Sequence, residues 1–374
     1  MSAVGKGEAT RVMRRDILYP PVGIAHVVER VSDLARRNHD SADVTGLIVS
    51  TSAQPNGPPH LGTASTILSV FAVAAYLRAE LGLSASVLFD SIDNAPASTW
   101  THEGVIYALS LLSTPAPTAD HANLADHYFE SLRRVLDFGS AISEIAWSRR
   151  PYTTFQASEA VRRRLLTVVR RQSEFGALLN PRTSRVHVRI PCERCHYVDK
   201  HSVWTIFRTD NSGVTIRTHC PRHGWRAQEL SLSHPPYLDL NTPLRDVLKC
   251  AEFSDWRSQG SLVVMVDGAD WGGAWVWEIV MKTLATLGED LARAPVRLFA
   301  PMILDESGAK FSKSLYVGSD AYASLPPWVV DLTVMDDAEF RRRMSSLWRL
   351  VQHWVGDPRR FFRDYSLSAV IAAL

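Results

Sequence analysis

The chain has 374 residues, of which 46% are hydrophobic and 21% charged. That balance excludes collagen-like, low-complexity and disordered classes and leaves room for about two domains. Forty-one Lys and Arg stand against 39 Asp and Glu, a formal charge of +2, so the whole molecule is not a strong electrostatic magnet for nucleic acid.

The first apolar stretch, Ile17 to Val28, is broken by Pro20, Pro21 and His26, which argues against a signal peptide. No apolar run approaches the ~18 residues of a membrane span, so no membrane partner is expected. Four cysteines, three of them in a metal-like cluster, suit a reducing cytoplasm better than a disulfide framework.

In chain order, Ile24, Val27, Val28, Val31 and Leu34 recur at helical spacing and predict a helix over 22–38. A short buried strand follows at Gly46–Thr51, then a turn-rich segment at Gln54–Pro59. A long apolar helix is expected over Thr63–Leu81, and a second strand over Ser86–Asp90. Strand, glycine-proline loop, helix and strand make the first half of a nucleotide-binding α/β sheet. The first 150 residues therefore read as an N-terminal helix and half of a catalytic domain. Residues 151–235 change character: an Arg-rich helix over 158–175 leads into β-like segments carrying Cys192, Cys195, Cys220 and His223. The α/β pattern resumes over 236–330, with strands at Leu262–Val266 and Val296–Ala300, a helix running through Leu284, and a lysine-serine loop. A basic, Trp-containing helical tail, 331–374, is left as an RNA platform or a lid. The fold class is thus α/β: a Rossmann-like parallel sheet split by a zinc-knuckle insertion, with a short helical tail. The arginine runs Arg149–Arg150, Arg162–Arg164, Arg170–Arg171, Arg341–Arg343 and Arg359–Arg360 read first as solvated helix faces, with phosphate contact as the less frequent use.

Two motifs carry chemistry. In Pro55-Asn-Gly-Pro-Pro-His-Leu-Gly-Thr63 a helix start offers unpaired N–H groups to an anion. Gly62 lets a nucleotide approach the backbone closely, and His60 can donate to a phosphate. About 250 residues later, Lys310-Phe-Ser-Lys-Ser314 supplies two point charges and two hydroxyls, a clamp for a triphosphate. Alone, the first reads foremost as a structural histidine, and the second equally well as an exposed basic turn.

Together and in this order the two resemble the HIGH and KMSKS signatures of class I aminoacyl-tRNA synthetases, with Thr63 in place of the last His and Phe311 in place of Met. The likeness spans roughly residues 20–330. The Pro-Asn-Gly-Pro-Pro-His spelling is similar to the methionyl branch. The archaeal-type class I lysyl branch is closer in three features: Asp90-Ser-Ile-Asp-Asn-Ala-Pro96, the two-knuckle insertion, and Asp267-Gly-Ala-Asp-Trp-Gly-Gly273, where Trp271 stands at an expected His. What the resemblance implies is ATP-dependent activation of an amino acid, lysine or a lysine-like amine favoured, followed by aminoacyl transfer. It assigns His60, Lys310 and Lys313 to catalysis, stabilising pyrophosphate as it leaves with its Mg²⁺. Gly57, His60, Gly62, Thr63, Gly268, Asp270, Lys310, Ser312, Lys313 and Ser314 fall to ATP, and Asp90, Asp93 and Trp271 to the amino acid. For Asp270 the competing use is a helix cap, and for Asp90 and Asp93 a turn cap.

The knuckles stand on their own spacing. Cys192-x2-Cys195, 24 residues, then Cys220-x2-His223 gives three thiolates and an imidazole, a closed and therefore structural zinc site, against buried thiols near a stray histidine. His196, His201 and His219 compete as ligands, and Cys250 is expected to be a core thiol. Sixty residues follow Ser314, too few for an anticodon-reading region. Three uses remain open: charging an RNA acceptor stem, with a partner supplying further RNA recognition; a tRNA-independent ligase joining the amino acid to a small amine; or a non-catalytic zinc module that binds RNA.

Overall fold

The computed structural model describes residues 23–39, 43–210, 213–230, 232, 236–312 and 322–374. Five segments form one parallel sheet: β1 (Gly46–Ala53), β2 (Ser84–Ser91), β3 (Ala146–Pro151), β4 (Ser261–Gly268) and β5 (Val296–Ala300). The order across the sheet is β5-β4-β1-β2-β3. Alternation along each strand builds two faces. Leu47, Val49, Val87, Phe89, Leu262, Val264 and Leu298 enter one core, and Ile48, Leu88, Val263 and Met265 the other. Burial on both sides explains why Leu262–Val266 is apolar without a break.

The first core is covered by α1 (Leu61–Leu81), α2 (Leu124–Ser143) and, from the tail, α5 (Asp337–Val355). The second is covered by α3 (Glu159–Arg170) and α4 (Thr242–Ser258). By length and hydropathy α1 could cross a bilayer, but twelve of its residues are buried here between the sheet and α5. The sequence-based helix over 22–38 is two pieces, Gly23–His26 and Ser32–His39. The Asp33 carboxylate, in the first turn of the second piece, takes the N–H groups of Glu29 and Arg30 and so fixes the turn that precedes it. That leaves Val27 exposed.

The chain leaves β3, builds the insertion and returns at β4 on the opposite side of β1. A reversal of this kind opens a crevice at the carboxyl ends of β1 and β4, where such sheets bind ligands. The insertion recruits more than the sequence assigned to it. A hairpin, Pro96–His102 with Val105–Ser110, pairs with Val198–Asp199. A second antiparallel sheet joins Ile206–Thr209, Val214–Cys220 and Gly224–Glu229.

The tail packs into the first core. Trp328, Trp348 and Trp354 are buried in it, and Tyr365–Ser366 pairs with Ile303–Leu304 just ahead of Lys310.

Candidate active site

At the start of α1 the His60 Nδ1 accepts the Gly62 N–H at 3.1 Å. With Nδ1 committed as acceptor, the neutral ring carries its proton on Nε2, the donor a phosphate needs. The His60 ring meets Phe311 edge-on at 5.1 Å, and Phe311 meets Tyr322 at 5.0 Å. Phe311 is buried, and its N–H donates to the Ile303 carbonyl at 2.8 Å. The two motifs, far apart in sequence, thus touch through one apolar contact. They line a cavity of about 180 Å3 together with Thr63, Gly268, Asp270, Trp271 and Ser312.

Across this crevice Lys310 Nζ donates to Asp270 Oδ2 at 2.7 Å, with both side chains about a third exposed. A pair so wetted contributes ~0–1 kcal/mol, so an incoming ligand can separate it at little cost. Gly57 shapes the preceding loop and does not line this cavity. Lys313 and Ser314 lie outside the described residues.

A second cavity, about 240 Å3, lies deeper along the same strand ends and shares Ser52, Ala53, Gly268 and Trp271 with the first. Its walls are densely charged. Asp90 receives Arg150 Nε at 2.5 Å and lies 3.7 Å from Lys249, while Arg150 also reaches Glu252 at 2.5 Å. Arg297 bridges Asp246 and Asp267, both at 3.1 Å, and Trp275 donates to Asp246 at 2.8 Å. Burial works against the Asp246 charge, yet Arg297, Lys249 and Trp275 hold its carboxyl below the usual range. For Asp267 burial prevails and the carboxyl is pushed up. Asp93 does not line the cavity. It is buried beneath β3, bound by Ser91, by Arg149 at 3.1 Å and by the Tyr152 N–H at 3.2 Å.

Sequence reading missed Arg150, Arg245, Asp246, Lys249, Asp267 and Arg297. One signal was present: Arg245, Asp246, Lys249 and Glu252 form a charged stripe on α4, whose other face is apolar. Most of the arginine runs are solvated as expected, Arg163, Arg170, Arg171, Arg341, Arg342 and Arg359 being exposed, but two of their residues are not. Arg150 is buried on β3, and Arg162 is fully buried with a guanidinium pushed down to about 10 by burial.

In the insertion, Cys192, Cys195, Cys220 and His223 bring their ligand atoms within 4.8 Å of one another. Cys192 Sγ is 3.2 Å from His223 Nδ1, and Cys220 Sγ is 3.6 Å from both Cys195 Sγ and His223 Nδ1. Tetrahedral zinc sets thiolate and imidazole donors about 3.5–3.8 Å apart, so three thiols and an imidazole gathered this closely are compatible with the ion. Burial alone would raise the Cys192 thiol, but N–H groups of Cys195 and Arg194 bring it down to about 6, whereas burial and its sister thiols push Cys195 up to about 11. His223 completes the set; His196, His201 and His219 lie outside it. Cys250 is buried against Met265.

No family model and no curated protein matches the sequence. Solved structures are similar over most of their length. A glutamate-tRNA synthetase from Elizabethkingia anophelis is 10% identical, with 88% of this chain and 70% of that one covered, at a TM-score of 0.42. A Mycobacterium tuberculosis methionyl-tRNA synthetase in complex with methionyl-adenylate gives 13%, 88%, 68% and 0.44. For a putative arginyl-tRNA synthetase from Campylobacter jejuni the values are 10%, 90%, 71% and 0.35. All three are aminoacyl-tRNA synthetases.

Proposed function

We propose that this chain is a ligase that binds ATP across the β1–β4 crevice and activates an amino acid as its adenylate. The observation that supports this most strongly is the meeting of His60, Gly62 and Thr63 with Asp270, Lys310 and Ser312 around one cavity, beside a second cavity with fixed charges. In the reaction, an oxygen of the amino acid's carboxylate bonds to the α-phosphorus. The bond to the bridging oxygen breaks in line, and pyrophosphate leaves with the electron pair. Positioning and charge stabilisation carry such a step, with no protein nucleophile. His60 Nε2–H, the amides opening α1 and Lys310 face the growing negative charge, with Ser312 as a further donor; the resemblance adds Lys313 and Ser314 to this set. ATP brings its Mg²⁺ on its own phosphates. Zinc would hold the insertion.

The charged cavity is the place for the amino acid. The resemblance favours lysine or a lysine-like amine, and of the three carboxylates that line the cavity, Asp90, Asp246 and Asp267, it assigns Asp90. That carboxylate already serves Arg150 and Lys249, so an ammonium group would have to share it. Transfer to an RNA acceptor stem or to a small amine completes the cycle.

The decisive experiment is ATP–pyrophosphate exchange with each amino acid in turn, with and without transfer RNA. Exchange that needs one amino acid is the expected result. Exchange with none, alongside zinc-dependent RNA binding, would leave the non-catalytic module.

A further inference from the structure

A third cavity, about 630 Å3, adjoins the charged one and shares Gln54, Ile92, Thr242 and Arg245 with it. Its charge has one sign. Arg182, Arg189, Lys200 and Arg245 line it with His187 and His201, and no Asp or Glu does. Among the described residues only Arg189 of these four cations has a carboxylate partner, Asp239 at 2.6 Å. Arg245, on the boundary between the two cavities, donates to Thr242 Oγ1 at 3.3 Å. The imidazoles report the same field. Burial, then Arg189, His201, Arg185 and Arg182, push His187 down to about 4. Burial and Lys200 also lower His201. Four cations gathered around one hollow, three of them with no carboxylate at ion-pair distance, make an anion site, although Asp239 and Asp246 also act on Arg245. The activation step uses none of these groups except those at the shared wall.

We propose that this cavity is the acceptor subsite and that it takes a small amine carrying a carboxylate or phosphate group. The inference rests on the activation reading above. A volume within the roughly 300–1,000 Å3 of small-molecule sites, and cations that ring a hollow instead of tracking a stripe, favour a small acid over a nucleic-acid backbone. Arg245 would hold the anionic group at the boundary, with Lys200 and Arg182 behind it, so that the amine faces the adenylate. The amine nitrogen then bonds to the activated carbonyl carbon and the carbon–oxygen bond to phosphate breaks. AMP leaves with that electron pair, and the amine's proton passes to solvent.

The test supplies the full chain with ATP and an amino acid that supports exchange. It then offers glycylglycine, glycylglycine amide (the same amine without the carboxylate) and O-phosphoethanolamine, with amide product read by mass spectrometry. We expect kcat/KM for the carboxylate or the phosphate amine at least about tenfold above that for the glycylglycine amide, the scale of one lost charge-assisted contact; which of the two is used identifies the anion. In a double variant, Arg182→Gln with Lys200→Gln, transfer should fall at least about tenfold further than exchange does. Equal use of glycylglycine and its amide, equal losses in transfer and exchange, or charging of transfer RNA with no small amine used, each overturns the proposal. If no amino acid supports exchange, the activation reading has failed on its own. Calorimetry with glycylglycine and inorganic phosphate then decides the cavity: binding that the double variant loses supports the anion site, and no binding overturns it.

Discussion

His60 earns its place through geometry that a histidine in sequence does not reveal: the Gly62 N–H fixes which ring nitrogen carries the proton. Gly62 matters for a second reason. A Cβ there would stand 2.9 Å from His60 Cε1, so Gly62→Ala must displace the ring even though α1 itself favours alanine. We expect His60→Ala to slow pyrophosphate exchange by about 100-fold or more, in the ~2.7–4 kcal/mol range of a lost donor to developing charge, while ATP still binds. Gly62→Ala should approach the same loss with an unchanged melting temperature. Exchange at wild-type rate in both variants would remove the crevice from the mechanism. His187 gives a pH signature of a different kind. Its folded pKa, about 4, lies below the ordinary 6.5, so the unfolded chain takes up the proton more readily. The stability linked to it is complete above pH 6.5 and is lost as pH falls toward 4. The melting-temperature advantage of wild type over His187→Gln should therefore shrink between pH 7 and 4.5; a constant difference would refute the assignment.

Elements separate what sequence reveals from what it hides. Four strands of the sheet were legible because each alternates or runs apolar in a way that burial explains, and β5 was bounded to the residue at Val296–Ala300; β3 was not, because its Trp-Ser-Arg-Arg spelling reads as a solvated face. The knuckles were legible because metal spacing is local: the left-handed Gly224 closes the turn after His223. The hairpin of the insertion was not. Its tight turn uses Glu103-Gly104, both at positive φ, where Asn-Gly or Asp-Gly is the usual signal. The charged cavity was hidden for another reason: Asp90, Arg150, Lys249 and Arg297 come from four elements, and each alone resembles an ordinary surface charge. Zinc supplies the element-scale prediction. The purified protein should carry about one zinc per chain, lost in Cys220→Ser. Because a closed four-ligand site stabilises the fold that forms it, that variant should expose the insertion to proteolysis while ATP affinity stays near wild type. Zinc-free protein with the same proteolytic pattern as wild type would sink the site.

At the scale of the whole molecule the question is what the tail does. A basic, Trp-rich segment after the lysine-serine loop invites a role as lid or RNA platform, but its tryptophans are spent on structure. Trp354 is 1% exposed and stacks on Tyr365 at 4.5 Å. Arg343 stacks on Trp328 at 3.9 Å and pairs with Glu339 at 2.8 Å, so only part of the arginine run faces solvent. The tail also reaches both motifs. Leu332 N–H donates to the Pro59 carbonyl at 3.0 Å, one residue before His60, and Tyr365 N–H donates to Met302 at 2.9 Å, ahead of Lys310. Packing in the tail therefore sets the separation of the segments that carry His60 and Lys310. Trp354→Ala should cost about 3–5 kcal/mol, a large share of the ~5–15 kcal/mol available to a typical fold. It should lower the melting temperature of the sheet domain as one transition and take exchange activity down with it at the same temperature. A lid would behave in the opposite way: activity would change while the melting temperature held. Calorimetry and exchange measured on the same Trp354→Ala sample separate the two, and an unshifted melt with altered exchange would return the tail to the lid reading.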